Sequence, residues 1–156
     1  MKPKPRPWDS STFFPSLEHK FGADVTGVAR ALHDWACDRC GVEWPPGATY
    51  GGFVPHVEVA QKKMKLFKAD IDGQIQWYSG TATYFLNEPP FCAPQKTAEF
   101  ANRLKALGIS IPLSQFKGKG PRTALRALAP EAVLGGFLET LDWVVESITG
   151  SRKPDP

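Results

Sequence analysis

No apolar run in this chain approaches the roughly 20 residues that a bilayer-spanning helix requires, so an integral helical membrane protein is not expected. Cysteine is scarce. Three in 156 residues is an odd number, which argues against a disulfide framework and fits a reducing compartment. The N-terminus, Met1-Lys-Pro-Lys-Pro-Arg-Pro-Trp8, is basic but has no apolar core, so it does not read as a secretory signal and a cytoplasmic location is expected. There is no Gly-x4-Gly-Lys-Ser/Thr phosphate loop, no second Cys-x2-Cys and no His-x3-His. Nor is there a true surplus of charge. The net charge of +3 is accounted for by Lys2, Lys4 and Arg6. Nineteen basic residues less those three leave sixteen, against sixteen acidic ones, so the body of the chain is neutral.

What the chain does have is a hydrophobic content of 42%, ordinary for a globular domain, together with 15 prolines and 14 glycines that punctuate it sharply. The expected organisation is an extended basic Pro-rich tail over 1–9, one domain over 10–150 and a second tail over 151–156. Apolar residues at helical spacing (Val25, Val28, Leu32, Trp35) place a helix behind Asp24 as N-cap, ending at Gly41. A shorter helix, Ser16 to Phe21, precedes it, with the Ser10-Ser11-Thr12 cluster capping a turn. Strands are expected over Val42–Trp44, Phe53–Val59 and Thr81–Leu86, with Pro55 marking the second as an edge, a bulge or both. A Lys-rich link then leads into a hairpin.

That hairpin is decided by register. A two-residue loop at Asp72-Gly73 would mix apolar and charged side chains on one face. A three-residue loop, Ile71-Asp72-Gly73 with Gly73 left-handed, pairs Ala69 with Ile75 and Phe67 with Trp77. It leaves Leu66, Lys68, Asp70, Gln74, Gln76 and Tyr78 on a polar face. Further helices are expected from about Thr97 to Gly108, near Leu128, and from Pro130 with the stripe Val133, Leu134, Phe137, Leu138, Leu141, Val144, Val145 and Ile148. Gly135-Gly136 inside this last helix implies close packing against the sheet. Helices segregated from consecutive strands give an α+β two-layer sandwich, with an antiparallel sheet of three to five strands and helices on one face.

Chemistry-bearing groups are sparse. His33, Cys37 and Cys40 have metal-like spacing on one helix, with His56 or Cys92 available as a fourth zinc ligand, although buried apolar cysteines explain the spacing more simply. A redox role is disfavoured, because Cys37 lies near a helix C-terminus, where the dipole opposes a thiolate. His56, Glu58 and Asp70 on the polar sheet face would suit a small metal-assisted hydrolase or nuclease. Against that, the following strand reads Gln74-Ile75-Gln76, without the carboxylate and Lys of a restriction-type nuclease. Between Lys96 and Arg126 seven basic residues stand against Glu99 alone. Of these, Lys117, Lys119, Arg122 and Arg126 flank the loop Gly118-Lys-Gly-Pro121 and are the candidate phosphate contacts.

Three segments carry a resemblance: Ala48-Thr-Tyr-Gly-Gly-Phe-Val-Pro55, the Gly73 hairpin followed by Pro89-Pro90-Phe91, and Leu141-Asp-Trp-Val-Val-Glu146. In order and spacing, over about residues 22–149, the chain resembles a small bacterial module found beside restriction-like and other nuclease proteins. The resemblance implies an α+β accessory domain of DNA-processing or defence machinery, and it assigns no active-site residue. The expectation is therefore a non-enzymatic binding module without cofactor, contacting nucleic acid or a protein partner.

Overall fold

The computed structural model describes residues 9–44, 52–59, 61–77, 84–85, 91–109 and 122–150. Residues 1–8 of the expected N-terminal tail, the expected 151–156 tail, the Gly118–Pro121 loop with Lys117 and Lys119, and most of the expected Thr81–Leu86 strand lie outside these residues, whereas Asp9, expected in the tail, caps the first helix. Four α-helices, α1 (Ser10–Phe21), α2 (Ala23–Arg39), α3 (Pro94–Ala106) and α4 (Glu131–Gly150), pack on an antiparallel sheet. Its strands are β1 (Gly41–Glu43), β2 (Gly52–Val59), β3 (Lys62–Lys65), β4 (Lys68–Asp70), β5 (Gln74–Gln76) and β6 (Arg122–Ala124). The order is β1-β2-β4-β5-β6, with β3 also paired to β2. This is the expected two-layer α+β sandwich. Among the described residues no helix is long and apolar enough to cross a membrane.

Helix α1 is longer than the Ser16–Phe21 segment anticipated. Asp9 closes a capping box, its carboxylate accepting from the Ser11 and Thr12 main-chain N–H groups while Thr12 Oγ1 accepts from the Asp9 N–H at 3.0 Å. Pro15 is carried inside the helix. A proline there costs about 3 kcal/mol, but Phe13, Phe14 and Leu17 are all buried and each returns roughly 1.5–3 kcal/mol. Packing wins. Gly22, at φ +90°, turns the chain into α2, so Asp24 stands inside the first helical turn rather than at the cap. At the far end of α3, Gly108 (φ +88°) donates to Lys105 O at 2.9 Å and Ile109 to Leu104 O at 3.0 Å. Leu104 and Ile109 are both buried, completing a Schellman stop.

The hairpin takes the three-residue loop: Ala69 pairs with Ile75, Lys68 with Gln76, and Gly73 is left-handed at φ +77°. Phe67, Ile75 and Trp77 are fully buried. Trp77 sits against Phe67, Phe100 and Phe137 at ring separations of 5.4, 5.5 and 6.0 Å, and its indole N–H donates to Thr123 Oγ1 at 2.9 Å. At the other end of the same face, Phe53 packs against Phe13, Trp44 and His33.

Leu66 departs from the expected polar face and is buried in the core. On β2, His56 pairs with Lys65 and Phe53 with Ala69, so three steps on one strand oppose four on the other. One residue is extra: β3 and β4 are the arms of a single strand broken by a β-bulge at Leu66-Phe67. Both bulge residues point inward. Pro55 lies opposite, accepting from the Leu66 N–H at 2.8 Å. Its missing donor faces the same edge, where the bulge already relaxes the ladder, so an interior strand tolerates proline. Lys62 to Met64, expected as a link, is thereby strand.

The α4 glycines also differ from expectation. Nothing lies within 4 Å of a side chain added at Gly135, whereas one at Gly136 would collide with Leu107, just beyond α3. The close approach is between helical segments, not of helix to sheet.

Candidate binding face

Since side chains alternate along a strand, the buried set Val57, Phe53, Ala69 and Ile75 defines the helix-facing side, and the opposite set follows from the register. Lys65 is opposite His56, which is opposite Gly41; Lys63 is opposite Glu58; Lys68 is opposite Gln76, which is opposite Arg122. The outer face thus carries Lys63, Lys65 and Lys68 along one bulged strand, and Arg122 two strands from Lys68. Successive lysines at two-residue spacing lie about 7 Å apart, and Arg122 lies about 10 Å across the sheet from Lys68. In an unbroken strand Lys65 and Lys68, three residues apart, would point to opposite faces. The bulge is what gathers them.

Acidic groups on this face are mostly withdrawn. Asp70 is fully buried, accepting from the Asp72 N–H at 2.9 Å, from the Gln74 N–H at 3.4 Å and from the Gln76 side-chain amide. It ties off the hairpin turn. Burial pushes its carboxyl above the ordinary carboxylate range, against the lowering effect of the Gln76 hydrogen bond. Glu43 is half-buried, leaving Glu58 exposed. Among the described residues Lys63, Lys65, Arg122 and Arg126 form no ion pair. Among the described residues Arg122 donates to Gln74 Oε1, at 3.4 Å. Burial lowers the Lys68 ammonium, Asp70 and Asp72 opposing. His56 is likewise lowered, first by burial and then by the Lys63 ammonium.

The predicted site residues are only partly assembled. Arg122 joins the cationic face. Arg126, also exposed, lines a separate cleft of about 230 Å³ with Phe21, Val25, Asp72 and Gln74. Lys96 and Arg103 belong elsewhere: both stack on Trp143, at 4.9 and 4.0 Å, and both pair with Glu99. His56, Glu58 and Asp70 do not converge. Asp70 stands opposite Gly52, four residues from His56 along β2, a separation of about 13 Å, and its carboxylate is spent on the turn.

The zinc set is not assembled either. Cys37 Sγ lies 3.8 Å from the His33 ring nitrogens, but that ring is held among Phe14, Trp44 and Phe53. Among the described residues no three His, Cys, Asp or Glu side chains are grouped to hold a metal ion. Burial pushes the Cys40 thiol up to about 11 and raises Cys37 too, so neither favours a thiolate.

Lys68 stands on the polar face expected of the hairpin, whereas Lys63 falls in the segment expected as a link, which is strand. The alternation Lys63-Met64-Lys65, with Met64 fully buried, is the signal of a half-buried strand. Comparison of the chain with protein-family models, with curated proteins and with solved structures found no match.

Proposed function

We propose that this protein is a non-enzymatic accessory module that binds the phosphate backbone of nucleic acid through the outer face of its sheet, beside DNA-processing or defence machinery in the cytoplasm. One observation carries the proposal: the register and the bulge bring Lys63, Lys65, Lys68 and Arg122 onto a single face from which the neighbouring Asp70 carboxylate is buried. Cations held at strand spacing are suited to consecutive phosphates, and contacts of this kind carry affinity without sequence specificity. Lys117 and Lys119 precede β6 in the chain and would extend the footprint from Arg122, as would the Lys-Pro tail.

The test is fluorescence anisotropy with a labelled DNA duplex over a series of salt concentrations. Binding is expected at low salt and to weaken steeply as salt rises. Each neutralised phosphate contributes about 0.9 to the slope of log K against log salt, so Lys65→Gln and Arg122→Gln should each flatten that slope by about this amount. Absence of binding at low salt, or binding indifferent to both substitutions, overturns the proposal.

A further inference from the structure

We propose that binding at this face is coupled to the uptake of one proton, held between His56 and Glu43; the coupling rests on the backbone-binding role proposed above. His56 shares its cross-strand row with Lys65 and with Gly41. Gly41 lacks a side chain, and one added there would collide with the His56 imidazole, so the ring lies directly over β1. Glu43 is two residues along that strand on the same face, at the diagonal position that long side chains reach.

Two buried side-chain atoms among the described residues have no hydrogen-bond partner: Glu43 Oε2 and His56 Nδ1. Both belong to this diagonal pair, and no ion pair joins them. Buried polar atoms are rarely left unpaired. With the proton of the neutral ring on Nε2, the carboxylate oxygen and the Nδ1 lone pair are both acceptors, and one further proton on Nδ1 converts the second into a donor for the first. A multivalent cation would also suit two acceptors, but the ammonium groups of Lys63 and Lys65 face the ring from β3 and repel it. The remaining neighbours are Glu58, on the same strand, and the Cys40 thiol, which accepts from the His56 main-chain N–H. In the free protein burial and then the two lysines disfavour the protonated imidazole. A bound phosphate backbone neutralises the lysines, and the proton then enters from solvent onto Nδ1 and meets Glu43. Binding therefore takes up a proton and strengthens as pH falls.

The experiment measures the affinity of the whole protein for the same labelled duplex between about pH 7.5 and about pH 5.5 at constant ionic strength, a range that spans ordinary histidine titration. The wild type is expected to gain several-fold in affinity across it, approaching tenfold per pH unit at the steepest, with His56→Gln giving a flat profile and Glu43→Gln a shallower one. NMR titration of the imidazole resonances provides a second readout on the unaltered chain, in which the His56 midpoint should rise on adding duplex while that of His33 stays fixed. A wild-type profile that is flat, or one that His56→Gln leaves unchanged, overturns the coupling and leaves the binding role standing. No binding at either pH overturns both.

Discussion

Asp70 is the sharpest place to test the physical account of this fold. Its side chain is fully buried in the sheet, and its two oxygens serve the Asp72 and Gln74 main-chain N–H groups and the Gln76 amide. Asp70→Ala removes all of these acceptors at once. A buried donor left without a partner costs about 1–3 kcal/mol. The Gln76 amide, only 8% exposed, bears that loss in full. Asp72 is exposed and its N–H can turn to water. The expected destabilisation is therefore about 2–3 kcal/mol, a shift of roughly 1–2 M in the urea midpoint for a domain of this size.

Asp70→Asn keeps the volume and one acceptor, and the Gln76 amide can turn to present its oxygen, so this variant should stay within about 1 kcal/mol of wild type. Its pH dependence fixes the sign. Because burial raises the folded-state pKa of Asp70, the folded state holds the proton more tightly than the unfolded chain. The contribution of Asp70 is then complete below the unfolded value of about 3.9 and declines as pH rises through the folded one. Asp70→Asn should accordingly gain on wild type between acid and neutral pH. Urea unfolding of the three proteins over a pH series measures both effects. An Asp70→Ala loss under about 0.5 kcal/mol, or an Asp70→Asn difference that moves the other way with pH, refutes the reasoning.

Two further substitutions bear on packing. Gly135→Ala meets nothing within 4 Å and should stabilise the protein by about 1 kcal/mol through helix propensity, whereas Gly136→Ala must displace Leu107 and should lose most of that gain; thermal unfolding separates them. Gly52→Ala drives its new methyl into the Ala69 carbonyl, which belongs to the backbone and cannot step aside. It should cost about 3 kcal/mol or more, read as loss of the cooperative transition or a large fall in its midpoint.

The hairpin register was legible from residues 67–77 because only one loop length separates Phe67, Ile75 and Trp77 from the charged positions, and side-chain period two makes that separation all-or-none. The stop of α3 at Gly108 and the stripe of α4 were legible for a similar reason: helix ends and helix faces are written in local spacing. The α+β layering followed from the order of those elements. The cationic face was not legible. Its makers are a bulge opposite Pro55 and the arrival of β6 beside β5, and both depend on which strand meets which. Lys68 is expected on the hairpin's polar face, but only the bulge that turns Leu66 inward brings Lys63 and Lys65 beside it, and Arg122 is 54 positions from Lys68 in the chain yet two strands away in the sheet. In the same way, Asp70 looked like a free carboxylate beside His56 until the turn claimed it. Local pattern dictates which face of a strand or helix is apolar, because that is a matter of period. Which polar groups end up adjacent, paired or stranded is settled only when the strands are in register, because that is a matter of contact between residues far apart in the chain.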